Sequence, residues 1–341
     1  MTAGSTAAVA VSSRPSRLVS WIPALCGCFL ALVACPGSAQ ATDYYWQVAG
    51  EDNWANPLAW STTTVPSGPY SYARVTNGGT VDVTMAGAEC TVLYLDNGSL
   101  SLSGTGQLSA TSSEVVGYHG KGAVVQMGGT NTITYDLQLG YFAGATGTYQ
   151  LGGTGQLTAA WEKIGGESGA GSFVQIGGAN TVTGNLYLSH GSTYELGGSG
   201  QLTAVDEVIG SFQSGTFTQT GGSNSVHNLY IARNTSSGST YRLSGTGRLT
   251  AANILVGSGD AGIFQQTSGS VTVGYLSIDA RSLYQWSGGS LNVLSGLAVT
   301  GALDFMSYSG ALTTRGIVDL SRGTLLNSSS ASLTIGPKSS S

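Results

Sequence analysis

Three glutamates, Glu114, Glu162 and Glu207, recur about once per repeat, each three residues ahead of a glycine that follows Val or Ile. They are the first candidates for carboxylate chemistry. A glycosidase needs two carboxyl groups a few ångströms apart, one with a raised pKa. A polysaccharide lyase needs clustered acids for a cation and a basic group beside them. A catalytic site occurs once, however, whereas these acids keep the period of the repeat. The sequence therefore predicts a periodic surface decoration, and Glu207→Gln should shift stability by under about 0.5 kcal/mol, as surface changes do. His119, His190 and His227 fall at different positions within the repeat, and neither a Ser-His-Asp set nor a metal-ligand spacing is present. Catalytic, cofactor-binding and metal residues are each expected to be none, and the chain is expected not to be an enzyme.

Two other patterns invite chemistry. Gly152-Gly153-Thr154-Gly155-Gln156-Leu157 approaches a calcium-binding glycine-rich nonapeptide, but the position that needs Asp holds Gln107, Gln156, Gln201 and Arg248. Hard Ca²⁺ requires several oxygen ligands, charged ones among them, so a calcium roll is excluded. Gln126, Gln175, Gln219 and Gln266, with Asn131, Asn180 and Asn224, recur in register. They are read as a stacked amide ladder that satisfies turn backbones, with a glycan-gripping polar strip as the alternative. Thr132-Ile133-Thr134 and Thr181-Val182-Thr183 fit an ice-binding array, which breaks at Ser225-Val226-His227 and Val271-Thr272-Val273. Cys90 is expected to be a small buried apolar residue.

The elements that must position these residues are written in the repeat. Y-x-L-G-G-x-G-x-L-T-A recurs around Leu108, Leu157, Leu202 and Leu249, at spacings of 49, 45 and 47. Each unit divides into two similar halves, with Leu151 and Ile176 at matching places before their glycine pairs. Each half holds three runs of alternating apolar and polar residues broken by glycine, which read as strands and tight turns. Three strands in a turn of ~22–25 residues, with no helical pattern between them, predict a right-handed parallel β-helix. One coil buries only a few side chains such as Leu151, Leu157 and Ile164, at roughly 1.5–3 kcal/mol each. Ordering its backbone costs about 1–2 kcal/mol per residue, so coils must form together. Leu157, Leu202 and Leu249 are expected to share one inward stack. The 53 glycines, about twice ordinary usage, suit the corners.

Residues 1–41 have the features of a signal peptide: Arg14 and Arg17, an apolar run from Leu18 to Val33, and the small-x-small site Ala39-Gln40-Ala41. Cleavage after Ala41 is expected, with lipidation of Cys35 in Leu32-Val33-Ala34-Cys35 as the lesser alternative. Removing the leader's two arginines leaves ten of the 12 basic residues against 17 acids, a net charge of −7. With charged residues at 9% and no basic patch, nucleic acid is excluded as a partner. Residues 42–70 hold Trp46, Trp54 and Trp60 and read as an N-terminal cap over the open end of the solenoid. Exposed tryptophans on a carbohydrate platform are the alternative. Residues 71–300 carry the β-helix repeats, and 301–341 the degenerate final coils and tail.

The W-x7-W-x5-W-S opening, the Y-x-L-G-G-x-G-x-L motif and the G-x-F-x-Q-x-G-G-x-N motif resemble autotransporter-associated β-strand repeats of bacterial passenger domains. The resemblance covers most of the chain after the leader. It implies a right-handed parallel β-helix displayed at the cell surface or secreted. Neither a C-terminal translocating barrel nor a sorting tail is found in this sequence, which points to another export route, a truncated chain or a short relative. The expected function is that of a structural, adhesin-like passenger without catalysis, with surface glycans or extracellular matrix components as partners and no transmembrane span after the leader. A carbohydrate-active β-helix enzyme or a non-catalytic glycan binder is the alternative.

Overall fold

Each coil owes its shape to where glycine falls. In the coil that starts at Thr146, a short strand (Thr146–Leu151) runs into Gly152-Gly153-Thr154-Gly155, where Gly153 adopts a φ of 53°. A Cβ there would lie 2.2 Å from the Met127 carbonyl oxygen of the coil below, so the corner closes only around glycine. A long strand (Gln156–Ile164) follows, and Gly165, at a φ of 79°, turns the chain into the next coil.

The computed structural model describes residues 40–233, 238–305, 311–315, 317–319, 324–327 and 332–336. The expected leader and Cys35 lie outside them, apart from Gln40 and Ala41. The described strands form a parallel β-solenoid of two sheets, 15-stranded and 13-stranded, in which each strand pairs with its counterpart one coil away. Among the described residues no helix is long and apolar enough to cross a membrane.

The three expected runs per coil become two strands, because two of them are limbs of one bent strand. The register of Gln156–Ile164 against its neighbours shifts between Ala159 and Glu162. Leu157 and Ala159 point inward before the bend, and Glu162 and Ile164 after it. Strict alternation would have turned Trp161 inward, yet Trp161 is 42% exposed and Glu162 is fully buried. An extra residue at a bulge moves every later side chain to the other face. A second correction concerns the repeat halves: Leu151 pairs with Gln175, and Ile176 lies outside, half exposed.

Inward residues stack in columns. Tyr149, Phe173, Tyr194, Phe217, Tyr241, Phe264 and Tyr284 form a run of rings with centroids 4.5 to 4.9 Å apart and planes within 10° of parallel. That spacing is the strand separation itself, so the backbone ladder sets the ring geometry. Leu157, Leu202 and Leu249 do lie in one inward column, but Asn180 and Asn224 alternate with them, so the column is not the continuous leucine stack expected.

The segment 42–70 builds the first coil. Thr42–Tyr45 pairs with Ser71–Val75, and Glu51–Asn53 pairs with Thr80–Val83. Trp46, Trp54 and Trp60 are 2%, 3% and 1% exposed, packed edge to face at 4.9 and 5.0 Å, and Trp60 Nε1 donates to the Trp54 carbonyl. Rings buried in this way offer no platform for a sugar. Beyond residue 300 parallel pairing continues through Ala302–Phe305 and Thr324–Asn327.

Candidate functional site

The amides and acids singled out in the sequence meet inside the solenoid. The bend turns Glu162 inward; the next coil supplies Gln175 and Asn180; the coil after that supplies Tyr194. Asn180 Nδ2 donates to Glu162 Oε2 at 3.2 Å and approaches the Tyr194 hydroxyl at 3.1 Å. Tyr194 donates to Gln175 Oε1 at 2.7 Å, and Gln175 Nε2 donates to the carbonyls of Gln201 and Gly178. The same set recurs with Glu114, Gln126, Asn131 and Tyr149, and with Glu207, Gln219, Asn224 and Tyr241. The glutamines thus satisfy turn backbones as the sequence suggested. The Gln107-type positions contribute through their main chain, as the Gln156, Gln201 and Arg248 carbonyls that accept from them.

The glutamates overturn the expectation of a surface decoration. Glu114, Glu162 and Glu207 are each 0% exposed. Burial disfavours the charged carboxylate and pushes them up from 4.5 to about 7, about 8 and about 7, with the asparagine amides pulling back. In each set one carboxyl oxygen and the asparagine Oδ1 are buried acceptors with no donor. A proton on the carboxyl supplies the missing donor, and this chemistry agrees with the raised values. Near neutrality these groups hold or release a proton, but a substrate outside the coil has no route to them. The expectation that Glu207→Gln is a surface change fails for the same reason.

A fourth set shows what the pairing requires. Tyr284 still donates to Gln266 Oε1 at 2.8 Å, but Ile254 stands in the glutamate column and Val271 in the asparagine column. The acid and the amide disappear together. Replacing both partners of a buried hydrogen bond by apolar groups costs little, whereas removing one strands the other.

The remaining candidates stay apart. His119 and His190 sit at turns in different coils, and His227 is exposed on a strand. Cys90 is fully buried and its thiol is pushed well up by desolvation, then by Glu114, which keeps it protonated and inert. The threonine array is longer than its sequence spacing suggested: Thr132, Thr158, Thr181, Thr203, Ser225, Thr250 and Thr272 stand in register in successive coils. Each half-unit contributes one hydroxyl, so comparing whole units hid the row. The flanking column still breaks at Ala160, Val205 and His227, so the paired Thr-x-Thr array is not formed.

The outer face of the long strands is uneven. Near one end the rings of Tyr118 and Tyr141 stack at 5.4 Å, with Phe142 and His119 stacked beside them at 4.8 Å. The Tyr118 and Tyr141 position becomes Gly166 in the next coil, where the Gly166 amide bonds the Gly140 carbonyl as Tyr141 bonds Gly117. The ring stack stops there. A recess of about 440 Å³ opens over that place, lined by Tyr141, Tyr187, Phe212, Gln138, Lys163 and Glu167. Lys163 Nζ donates to Asp136 Oδ2 at 2.9 Å, and Gln138 Nε2 donates to the same oxygen. Sequence reasoning missed this site because Tyr141 and Phe212 fall outside the repeat motifs and Gln138, Lys163 and Tyr187 occupy their variable positions. The signal for it was the aromatic departure from the repeat at Tyr141-Phe142 and Phe212. Comparison of the chain with protein-family models, curated proteins and solved structures finds no match.

Proposed function

We propose that the chain is a secreted or surface-displayed bacterial structural solenoid, an adhesin-like passenger that carries out no catalysis. The observation that carries this reading is the burial of Glu114, Glu162 and Glu207. Glu114, Glu162 and Glu207, raised to about 7, about 8 and about 7, are sealed in the core, each tied to an asparagine of the neighbouring coil. A carbohydrate-active enzyme would need such groups within hydrogen-bond reach of its substrate. The outward columns of Ser, Thr, Gln and Asn with few charges suit a long-lived extracellular surface. The first strand begins at Thr42, the residue after the expected cleavage site, and its amide bonds the Tyr70 carbonyl. Autotransporter-like passenger repeats and their export are part of this proposal, as is contact with glycans, which the recess on the lateral face favours.

Expression in a Gram-negative host tests the reading. The mature chain should begin at Thr42 by mass spectrometry, and protease added to intact cells, or assay of the medium, should find it outside. A chain retained in the cytoplasm with residues 1–41 attached would contradict it. An acylated Cys35 at the N-terminus would replace the cleavage site with a lipid anchor.

A further inference from the structure

We propose that the recess formed by Tyr141, Tyr187, Phe212, Gln138, Lys163 and Glu167 binds a hexopyranose unit of an uncharged polysaccharide. The proposal rests on the surface-display reading and gives that surface its ligand class. The recess sits where an aromatic stack ends on a glycine. The ring stack of Tyr118 and Tyr141 ends at Gly166, where a Cβ would come within 2.9 Å of the Tyr141 Cα and 3.0 Å of its ring. No larger residue fits without displacing the ring. The recess beside it, about 440 Å³, lies within the range that small-molecule sites occupy. Tyr187 and Phe212 come from later coils, and Phe212 is 75% exposed. Gathered with Tyr141 and Tyr187 on one recess, this ring completes a contiguous apolar patch, the kind of surface that marks a binding site.

The chemistry selects the ligand. Aromatic rings present an electron-rich face, which suits the C–H face of a pyranose. Gln138 and Glu167 supply acceptors, and Gln138 and Lys163 supply donors, at the margin where hydroxyls would lie. Lys163 is neutralised by Asp136 at 2.9 Å, and Glu167 adds a negative charge to the wall. Phosphates, sulfates and uronates therefore meet no uncompensated cation. A peptide adding to a sheet edge is disfavoured too, because the Lys163 and Tyr187 strands are already laddered to their neighbours on both sides.

Affinity electrophoresis of the mature protein in native gels tests the proposal. The gels contain a soluble mixed-linkage glucan, a mannan, a xylan or a dextran, with polygalacturonate and alginate as anionic probes. At least one neutral polymer should retard the wild type. Phe212→Ala and Tyr187→Ala should each weaken that retardation at least tenfold, while Tyr275→Ala, an exposed ring outside the recess, leaves it unchanged. Equal circular dichroism melting of the Phe212→Ala protein and the wild type confirms that the fold survives. The proposal is overturned by no retardation in any neutral gel, by retardation that persists in Phe212→Ala, or by retardation in the anionic gels alone. Such a failure leaves surface display standing, since location is measured separately by protease accessibility.

Discussion

A carboxyl group sealed among amides couples folding to pH. Glu114 faces Asn131, Tyr149 and the Cys90 thiol; Glu162 faces Asn180 and Tyr194 and lies near Glu207; Glu207 faces Asn224 and Tyr241. These surroundings hold no cation that would favour the charged form. Between the ordinary value of 4.5 and the folded values of about 7 and 8, the native chain binds more protons than the unfolded one. Stability is therefore greatest at acid pH, falls as pH rises through that window, and levels off above it. A rise from 4.5 to about 7 corresponds to about 3 kcal/mol at one site. The melting temperature should be higher at pH 5 than at pH 8.5, and replacing all three glutamates by glutamine should flatten the dependence. A melting temperature that climbs across the window would contradict the buried positions. The fourth set supplies a second test. Glu207→Ile or Asn224→Val alone should cost about 1–3 kcal/mol by stranding its partner. The double change, which copies Ile254 and Val271, should cost clearly less than the sum, and additive losses in the cycle would deny the coupling.

The coil is the element, and its corners decide whether it closes. Gly153 and Gly144 both adopt positive φ, at 53° and 81°. A Cβ on Gly153 would meet the Met127 carbonyl at 2.2 Å, whereas one on Gly144 meets nothing within 4 Å. Both alanine variants carry the strain of a left-handed backbone, on the order of 1 kcal/mol, and only Gly153→Ala also forces two coils apart. Thermal melts should show a distinctly larger loss for Gly153→Ala, and equal losses would mean the corner is looser than described. The coil length, the alternating runs and the glutamines' bonds to turn backbones were legible in the sequence, because glycine pairs and period-2 alternation mark turns and faces directly. The amides do not stack into the expected ladder, since Leu151 and Leu196 stand between Gln126, Gln175 and Gln219. The inward turn of Glu162 was not. It depends on a register shift between Ala159 and Glu162, a feature of pairing with the neighbouring coils rather than of local pattern. The recess was hidden for a related reason: Tyr141, Lys163, Tyr187 and Phe212 are neighbours only once the coils are stacked.

At the scale of the whole molecule, the coils form a continuous hydrophobic core from Trp46 to Leu303, with the three acid–amide sets inside it. No coil is self-sufficient, so cooperativity along the stack is what keeps the carboxyls dry. The acids that repeat with the fold lie in its core, and the residues that break the repeat, Tyr141 and Phe212 among them, line its outer recess. We propose that the repeated carboxyls serve the fold and take no part in polysaccharide chemistry. The most direct test is an assay of soluble products released from a panel of neutral and acidic polysaccharides, run side by side with the wild type and the Glu114→Gln, Glu162→Gln and Glu207→Gln variants. No product is expected from any of the four proteins, even from a polymer that retards the wild type in a gel. Soluble oligosaccharides released by the wild type and abolished by any one of these changes would contradict the proposal.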